Sequence, residues 1–301
     1  MILGGGIRVE NNYLDGVKIS QIEDMSYADE YTVLYGYPTY YDNKIYVEAN
    51  TLTHSAFQSL NISSGSWINL TDYSTNLVCR GIVPSGSLIY GFYNGYPTTA
   101  CMVVKPYNPL NNTWGTSASF TYTSASCASV CNLNNIAYIA YVYSLVGSTY
   151  TWHLFSYDIN TNVKSSDLNF EIITTETMPS NSIVYGNSTM FFISGSQIYE
   201  YNSSTDITSN IGTLTYNLRY WKDCVYHNGK IYIYCNYGGN GVGKIEVFDT
   251  TTHTSTLIGI NLPKNTVIMS VDTIGKLYCY GNVELISGSY ITNGHTYVIE
   301  L

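Results

Sequence analysis

Asn228–Ser255 reads NGKIYIYCNYGGNGVGKIEVFDTTTHTS. Asn228-Gly229 is a hairpin signal, because both central positions of a tight two-residue turn need positive φ. IYIYC follows, then a glycine-rich reversal, then KIEVFD and a polar turn. This predicts two antiparallel strands with the turns on either side of them. The pattern recurs along the whole chain, so it is a module.

The module's second strand returns as KIYVEA (44–49), LIYGFY (88–93), AYIAYVY (137–143), TMFFIS (189–194), KIYIYC (230–235) and KLYCYG (276–281). A short turn precedes each: Asp42-Asn43, Ser85-Gly86, Asn134-Asn135, Gly186-Asn187, Asn228-Gly229 and Ile274-Gly275. Aligned on Ile45, Ile89, Tyr138, Phe191, Ile231 and Leu277, the modules recur at roughly 47 residues, a period of repeat architectures. A second signature closes the next strand, an apolar residue before Asn or Asp: Leu60-Asn61, Tyr107-Asn108, Tyr157-Asp158, Tyr201-Asn202 and Phe248-Asp249. Four residues after each Asx stand Gly65, Asn112, Asn162, Asp206 and His253. These residue types best tolerate a left-handed backbone, and an Asx side chain caps its own turn. Trp67 and Trp114 open the strand that follows in the first two modules.

Small antiparallel sheets of this size bury their faces only against one another. Closing the array into a ring covers both faces of every sheet. The expected fold is all-β, a six-bladed β-propeller with four-stranded antiparallel blades, forming a single domain over residues 1–301. The composition agrees. Tyr supplies 32 of 301 residues and charged residues only 11%, in a chain rich in strand-favouring and turn-favouring types. At 45% hydrophobic the chain has ample material for a core.

These features resemble the kelch repeat family. The resemblance rests on the G/N-K-I-Y strand starts, the pair Gly238-Gly239 after one second strand, the turns Tyr157–Thr161 and Phe248–Thr252, and the Trp six positions past the Asx. It spans nearly the whole chain, with the double glycine clear only in the fifth module. Arg80 and Arg219 fall near where that family often places an Arg. The resemblance implies a kelch-like propeller. The third strand of the sixth module, TYVIEL, runs to Leu301, whereas VKISQI (17–22) is a spare strand-like segment before the first module. Residues 17–22 are therefore expected to complete the last blade and close the ring, with residues 1–16 as an N-terminal arm.

Chemistry is sparse. The five histidines show no metal-binding spacing, so no metal ligand, cofactor or catalytic residue is assigned. Seven cysteines at irregular spacings read as small buried hydrophobes, with one disulfide by proximity as the alternative. Ser63–Trp67 lacks the Asp of the S-x-D-x-G-x-T-W turn of sialidase propellers. GGNGVGK (238–244) lacks the Ser/Thr and the helix of a phosphate loop. The acidic groups Glu23-Asp24, Asp29-Glu30 and Glu171–Glu176 read as solvated loops. What remains is aromatic decoration of loops, which gives the candidate binding residues Tyr37, Tyr40, Tyr41, Tyr93, Tyr96, Trp152 and Tyr237. Tyr and Trp beside Asn and Gly suit sugar stacking or protein contact; packing between blades is the competing use.

A net charge of −9 disfavours nucleic acid, and no apolar stretch is long enough for a membrane helix. The N-terminus lacks the pattern of a signal peptide. The composition is similar to that of virion proteins of phages and archaeal viruses. The expected function is a non-enzymatic structural or binding module on a virion or extracellular surface, with other surface proteins, a host glycan or a receptor as partners. A cytoplasmic kelch-type adaptor is the alternative, and a glycan-active enzyme the third reading.

Overall fold

A computed structural model describes residues 12–14, 17–22, 35–50, 55–73, 77–95, 101–122, 127–175, 182–215, 223–237, 242–263, 268–280, 283–286, 289–292 and 296–300. Strands make up the secondary structure of these residues, with no helix among them. Six antiparallel sheets form the blades of a propeller. The first blade runs Tyr35–Tyr41, Lys44–Asn50, Ser55–Asn61 and Ser66–Asn69 from the axis outward. The innermost strands of the next five are Leu77–Ser85, Cys127–Leu133, Ile183–Gly186, Asp223–His227 and Ile268–Val271. Each lies beside the next, and the last lies beside Tyr35–Tyr41, so the circle is complete.

The core is divided among the seams of this circle. Six apolar clusters are each shared by two neighbouring blades. Between the sixth and first blades, Ile45, Val47, Leu60 and Trp67 meet Tyr278, Tyr280 and Val298. Trp67 lies edge-on to Tyr280 with ring centroids 5.4 Å apart. Its indole Nε1 donates to Thr296 Oγ1 at 3.0 Å, so its polar end is satisfied inside the seam. Trp114, at the matching position of the second blade, packs on Phe57, Tyr73, Tyr93 and Tyr107. Each indole thus leans back onto the preceding blade.

The turns follow the sequence closely. Asp42, Asn43, Asn134, Asn135, Asn228 and Gly229 all have positive φ, as two-residue hairpins of the favoured hand require. In the second and fourth blades the turns are Gly86-Ser87 and Asn187-Ser188, each one residue later than the sequence suggests. The five positions after the Asx turns, Gly65, Asn112, Asn162, Asp206 and His253, lie at φ between 55° and 70°. Each Asx oxygen caps its own turn; Asp249 Oδ1 accepts from the backbone N–H of Thr251 and Thr252. The sequence did not suggest a second lock. The Tyr before the Asx donates its hydroxyl to the left-handed residue: Tyr107 to Asn112 (2.8 Å), Tyr157 to Asn162 (2.7 Å) and Tyr201 to Asp206 (2.6 Å). Where Phe248 replaces Tyr, His253 replaces the acceptor and stacks on its ring.

Two alignment positions shift. Cross-strand partners place Ala137 and Met190, not Tyr138 and Phe191, in register with Ile45, because each faces the residue before the Asx. Ala137 is small and Met190 lacks the K-I-Y context, so the apolar pattern alone is a residue ambiguous there. Blade size also varies. In the second blade Thr113–Trp114 and Ala118–Thr121 both pair with Cys101–Asn108. The sixth blade has five strands, ordered Asn12–Leu14, Val17–Ile22, Thr296–Glu300, Leu277–Tyr280 and Ile268–Val271. Ile19 there stands opposite Ile299. Val283–Ile286 and Ser289–Thr292 form a separate hairpin.

Candidate functional site

The strand order gives the ring two unlike faces. On one lie the two-residue turns and the Asx turns. On the other, the third and fourth blades also close two-residue turns at Gly147-Ser148 and Gly195-Ser196, while other strand ends are joined by connections that include the longer 23–34, 96–100, 176–181 and 216–222, which lie outside the described residues. Between the faces runs a central channel of about 260 Å³ lined by all six innermost strands. Tyr40, Asn132, Tyr185, Asp223, Tyr226 and Ser270 are its polar lining.

The buried acids of the ring are mostly engaged. Asp223 accepts from the backbone N–H of Cys224 at 2.8 Å and from that of Met269 in the next blade. Glu246 accepts from the backbone N–H of Thr215 at 2.6 Å and from the Ser255 hydroxyl. Glu48 differs. It is 0% exposed, Tyr93 donates to its Oε2 at 3.3 Å, and its Oε1 has no hydrogen-bond partner. Burial pushes its carboxyl up to about 8; the Tyr93 hydrogen bond opposes that and the Asp72 charge adds to it. Burial likewise pushes the Cys131 thiol up to about 12. Cys79, Cys101, Cys131, Cys224 and Cys279 are all free thiols. Among the described residues, no group of three or more His, Cys, Asp or Glu forms a metal-binding set.

The aromatic residues singled out in the sequence do not converge. Tyr93 and Trp152 are 1% and 3% exposed, in the seams between blades one and two and between three and four. Neither presents a ring to solvent. Tyr40 and Tyr41 are half-buried against seams. The segment holding them is not a loop but the innermost strand of the first blade. Pro38 disguises it in the sequence; an axial edge strand tolerates Pro because its outer N–H needs no ladder partner. Tyr37 and Tyr237 lie on strands, their side chains outside the described residues, as are Tyr96, Arg219 and Gly238-Gly239. Arg80 sits at a β-bulge in the innermost strand of the second blade.

Sequence reading missed a group on the third blade. His153, Asp167 and Glu171 come from its two outermost strands, Thr149–Asp158 and Val163–Thr174. His153 lies 3.6 Å from Asp167 through Nδ1 and 3.6 Å from Glu171 through Nε2. Tyr143 stacks on the imidazole, centroids 4.2 Å apart and planes 2° from parallel. Tyr141 donates to Asp167 at 2.5 Å. Glu171, expected in a solvated loop, is on a strand. Only sheet register joins these residues, and no local motif announces it.

No family model and no curated protein matches the chain. Solved structures do. The structure of YjhT superposes with a TM-score of 0.61 at 11% identity, covering 92% of this chain and 96% of its own. A chain of the mitotic checkpoint complex superposes with a TM-score of 0.55 at 9% identity, covering 100% of this chain and 94% of its own. These likenesses show a propeller fold. They carry no function across, because a propeller hosts many unrelated ones.

Proposed function

We propose that this kelch-like propeller is a non-enzymatic structural and binding module of a virion or extracellular surface. Its face of longer connections would meet another surface protein, a host glycan or a receptor. The difference between the two faces carries this reading. One face is closed by short hydrogen-bonded turns that leave little to vary, whereas the other carries the longest connections of the chain beside two tight turns, and long connections on a rigid base are the usual arrangement of binding surfaces. Low charge and many tyrosines, which offer area at small entropic cost, agree with it. The internal engagement of Asp223 beside the channel and of Glu246 within the fifth blade supports a scaffold role for these acids.

The test has two arms. The protein is expected to co-purify with particles in a density gradient and to be labelled by antibody on their surface. In a glycan array with a parallel turnover assay, binding without product is expected. Absence from particles removes the virion assignment, and release of a cleaved or oxidised glycan removes the non-enzymatic one.

A further inference from the structure

The third blade is taller than the first. Its outer strands, Ile136–Val146, Thr149–Asp158 and Val163–Thr174, have 11, 10 and 12 residues, against 7, 7 and 4 in the first blade. Three or four extra residues raise it about 10 Å on the face of longer connections. The two sides of this extension are treated differently. Trp152, Phe170 and Ile172 point to the fourth blade and are buried with Phe192 and Tyr201. On the side toward the second blade, Tyr141, Phe155 and Tyr157 are covered by Phe92, Met102 and Tyr122, and that cover stops at Tyr141.

Above Tyr141 the sheet face is open. Tyr143, Val146 and Ile173 are 51%, 75% and 63% exposed. His153 and Glu171 stand directly opposite each other across the strands. Two residues on from Tyr141, Tyr143 falls on this side at a register shift between Val142 and Ser144, and His153 holds one face of its ring. The Asp167 and Glu171 side chains are 36% and 58% exposed. Lys164 lies 3.9 Å from Asp167 and above the Phe155 ring, at the foot of the patch. The upper patch is therefore an aromatic ring, two carboxylates and two aliphatic flanks.

We infer that this half-face of the third blade docks an extended, lysine- or arginine-bearing segment of a partner protein. A cation seated on the free side of Tyr143 gains from the ring quadrupole, and the carboxylates that flank His153 on the ring's other side attract it at longer range. Val146 and Ile173 give its aliphatic stem an apolar bed. Charge complementarity selects the occupant: a protein of net charge −9 that gathers exposed carboxylates beside a fixed aromatic ring suits a basic partner. The inference deepens the proposed binding role by naming partner chemistry, and it can fail while particle association holds.

Fluorescence anisotropy with a labelled decapeptide of alternating Lys and Val tests it, against Gln/Val and Glu/Val versions. The Lys peptide is expected to bind, with affinity falling at least fivefold between low and high salt. Tyr143→Ala and Glu171→Gln are each expected to weaken it about twofold to fivefold, the range of a partly exposed cation–π or charge contact. Asp42→Asn, on the opposite face, is expected to leave it unchanged. Circular dichroism melting confirms that each variant is folded; should Tyr143→Ala unfold, Tyr143→Leu replaces it. Equal binding of the Gln peptide, or indifference to both Glu171→Gln and the Tyr143 change, overturns the inference. So does Tyr143-dependent binding of a neutral glycan with no Lys-peptide binding.

Discussion

On one face of the ring the connections are turns whose special backbone angles, Ser188 apart, are met by Gly, Asn, Asp or His and whose Asx oxygens close back on their own backbone. On the other, the same strands open into longer connections, a separate hairpin and a raised third blade. The difference teaches where this fold keeps its constraint. Turn-face residues answer to their own loop: Asn162 must hold positive φ, accept from Tyr157 and end a hairpin. Residues toward the other face answer to the neighbouring blade or to solvent, so similar sequences end in opposite places. Tyr93 is sealed in a seam, whereas Tyr143 is half exposed.

Both faces hang on one closed ring, so the harshest test of the comparison is to open it. Removing residues 1–24 deletes Val17–Ile22 and leaves Thr296–Glu300 an edge strand beside the seam that holds Val298 and Ile299. Cooperative unfolding is expected to be lost, or the melting midpoint to fall by more than 10 °C, on the scale of several kcal/mol for a domain this size. Differential scanning calorimetry reads it. A truncated protein that melts like the full chain would mean the ring does not depend on that strand. Trp67→Ala is the next largest. It empties a buried indole site and leaves Thr296 Oγ1 without its donor, at an expected cost of about 3–5 kcal/mol in urea unfolding.

Glu48 tests the seam between the first two blades near the face of longer connections. Its carboxyl is held near 8 against an ordinary 4.5. The folded state therefore favours the neutral acid. That stabilisation is full below about pH 4.5, declines as the pH rises, and is gone once it passes about 8. The span corresponds to on the order of 5 kcal/mol. Glu48→Gln removes the titration. It is expected to match the wild type near pH 4 and to be clearly more stable at pH 9, measured by urea unfolding across that range. Parallel pH profiles for the two proteins would show that this carboxyl is not held neutral.

The legible and illegible parts of the molecule divide along the same line. Turn chemistry is local, so Gly65, Asn112, Asn162, Asp206 and His253 are found by counting from the Asx, and the blade count follows from the six returns of the second strand. The innermost strand at 35–41 is hidden because Pro38 breaks the strand pattern while the axial edge forgives it. Trp152 reads as surface because alternation along a strand does not say which side is covered by a neighbouring blade. The His153, Asp167 and Glu171 group is invisible because two strands must first be set in register. In a chain with 32 tyrosines, composition cannot separate seam from surface.

The smallest effect gives the sharpest comparison, since it sets two left-handed residues on opposite faces against each other. Asn162, after the Asx turn, has φ 58°, and Gly147, at the tip of the raised third blade, has φ 63°. An alanine at either position bears the same backbone strain, about 1 kcal/mol. At Gly147 nothing lies within 4 Å of an added Cβ, so that strain is the whole expected cost. At Asn162 the change also strips the acceptor from Tyr157, whose hydroxyl loses its 2.7 Å partner, adding about 1 kcal/mol. Asn162→Ala is thus expected to cost roughly twice what Gly147→Ala does, about 2 against about 1 kcal/mol. Asn162→Gly separates the parts: it relieves the backbone, keeps the lost hydrogen bond, and should fall back to about 1 kcal/mol. Equal costs for the two alanines would mean that the tyrosine lock adds nothing to the turn face, and that backbone angle alone sets the two faces apart.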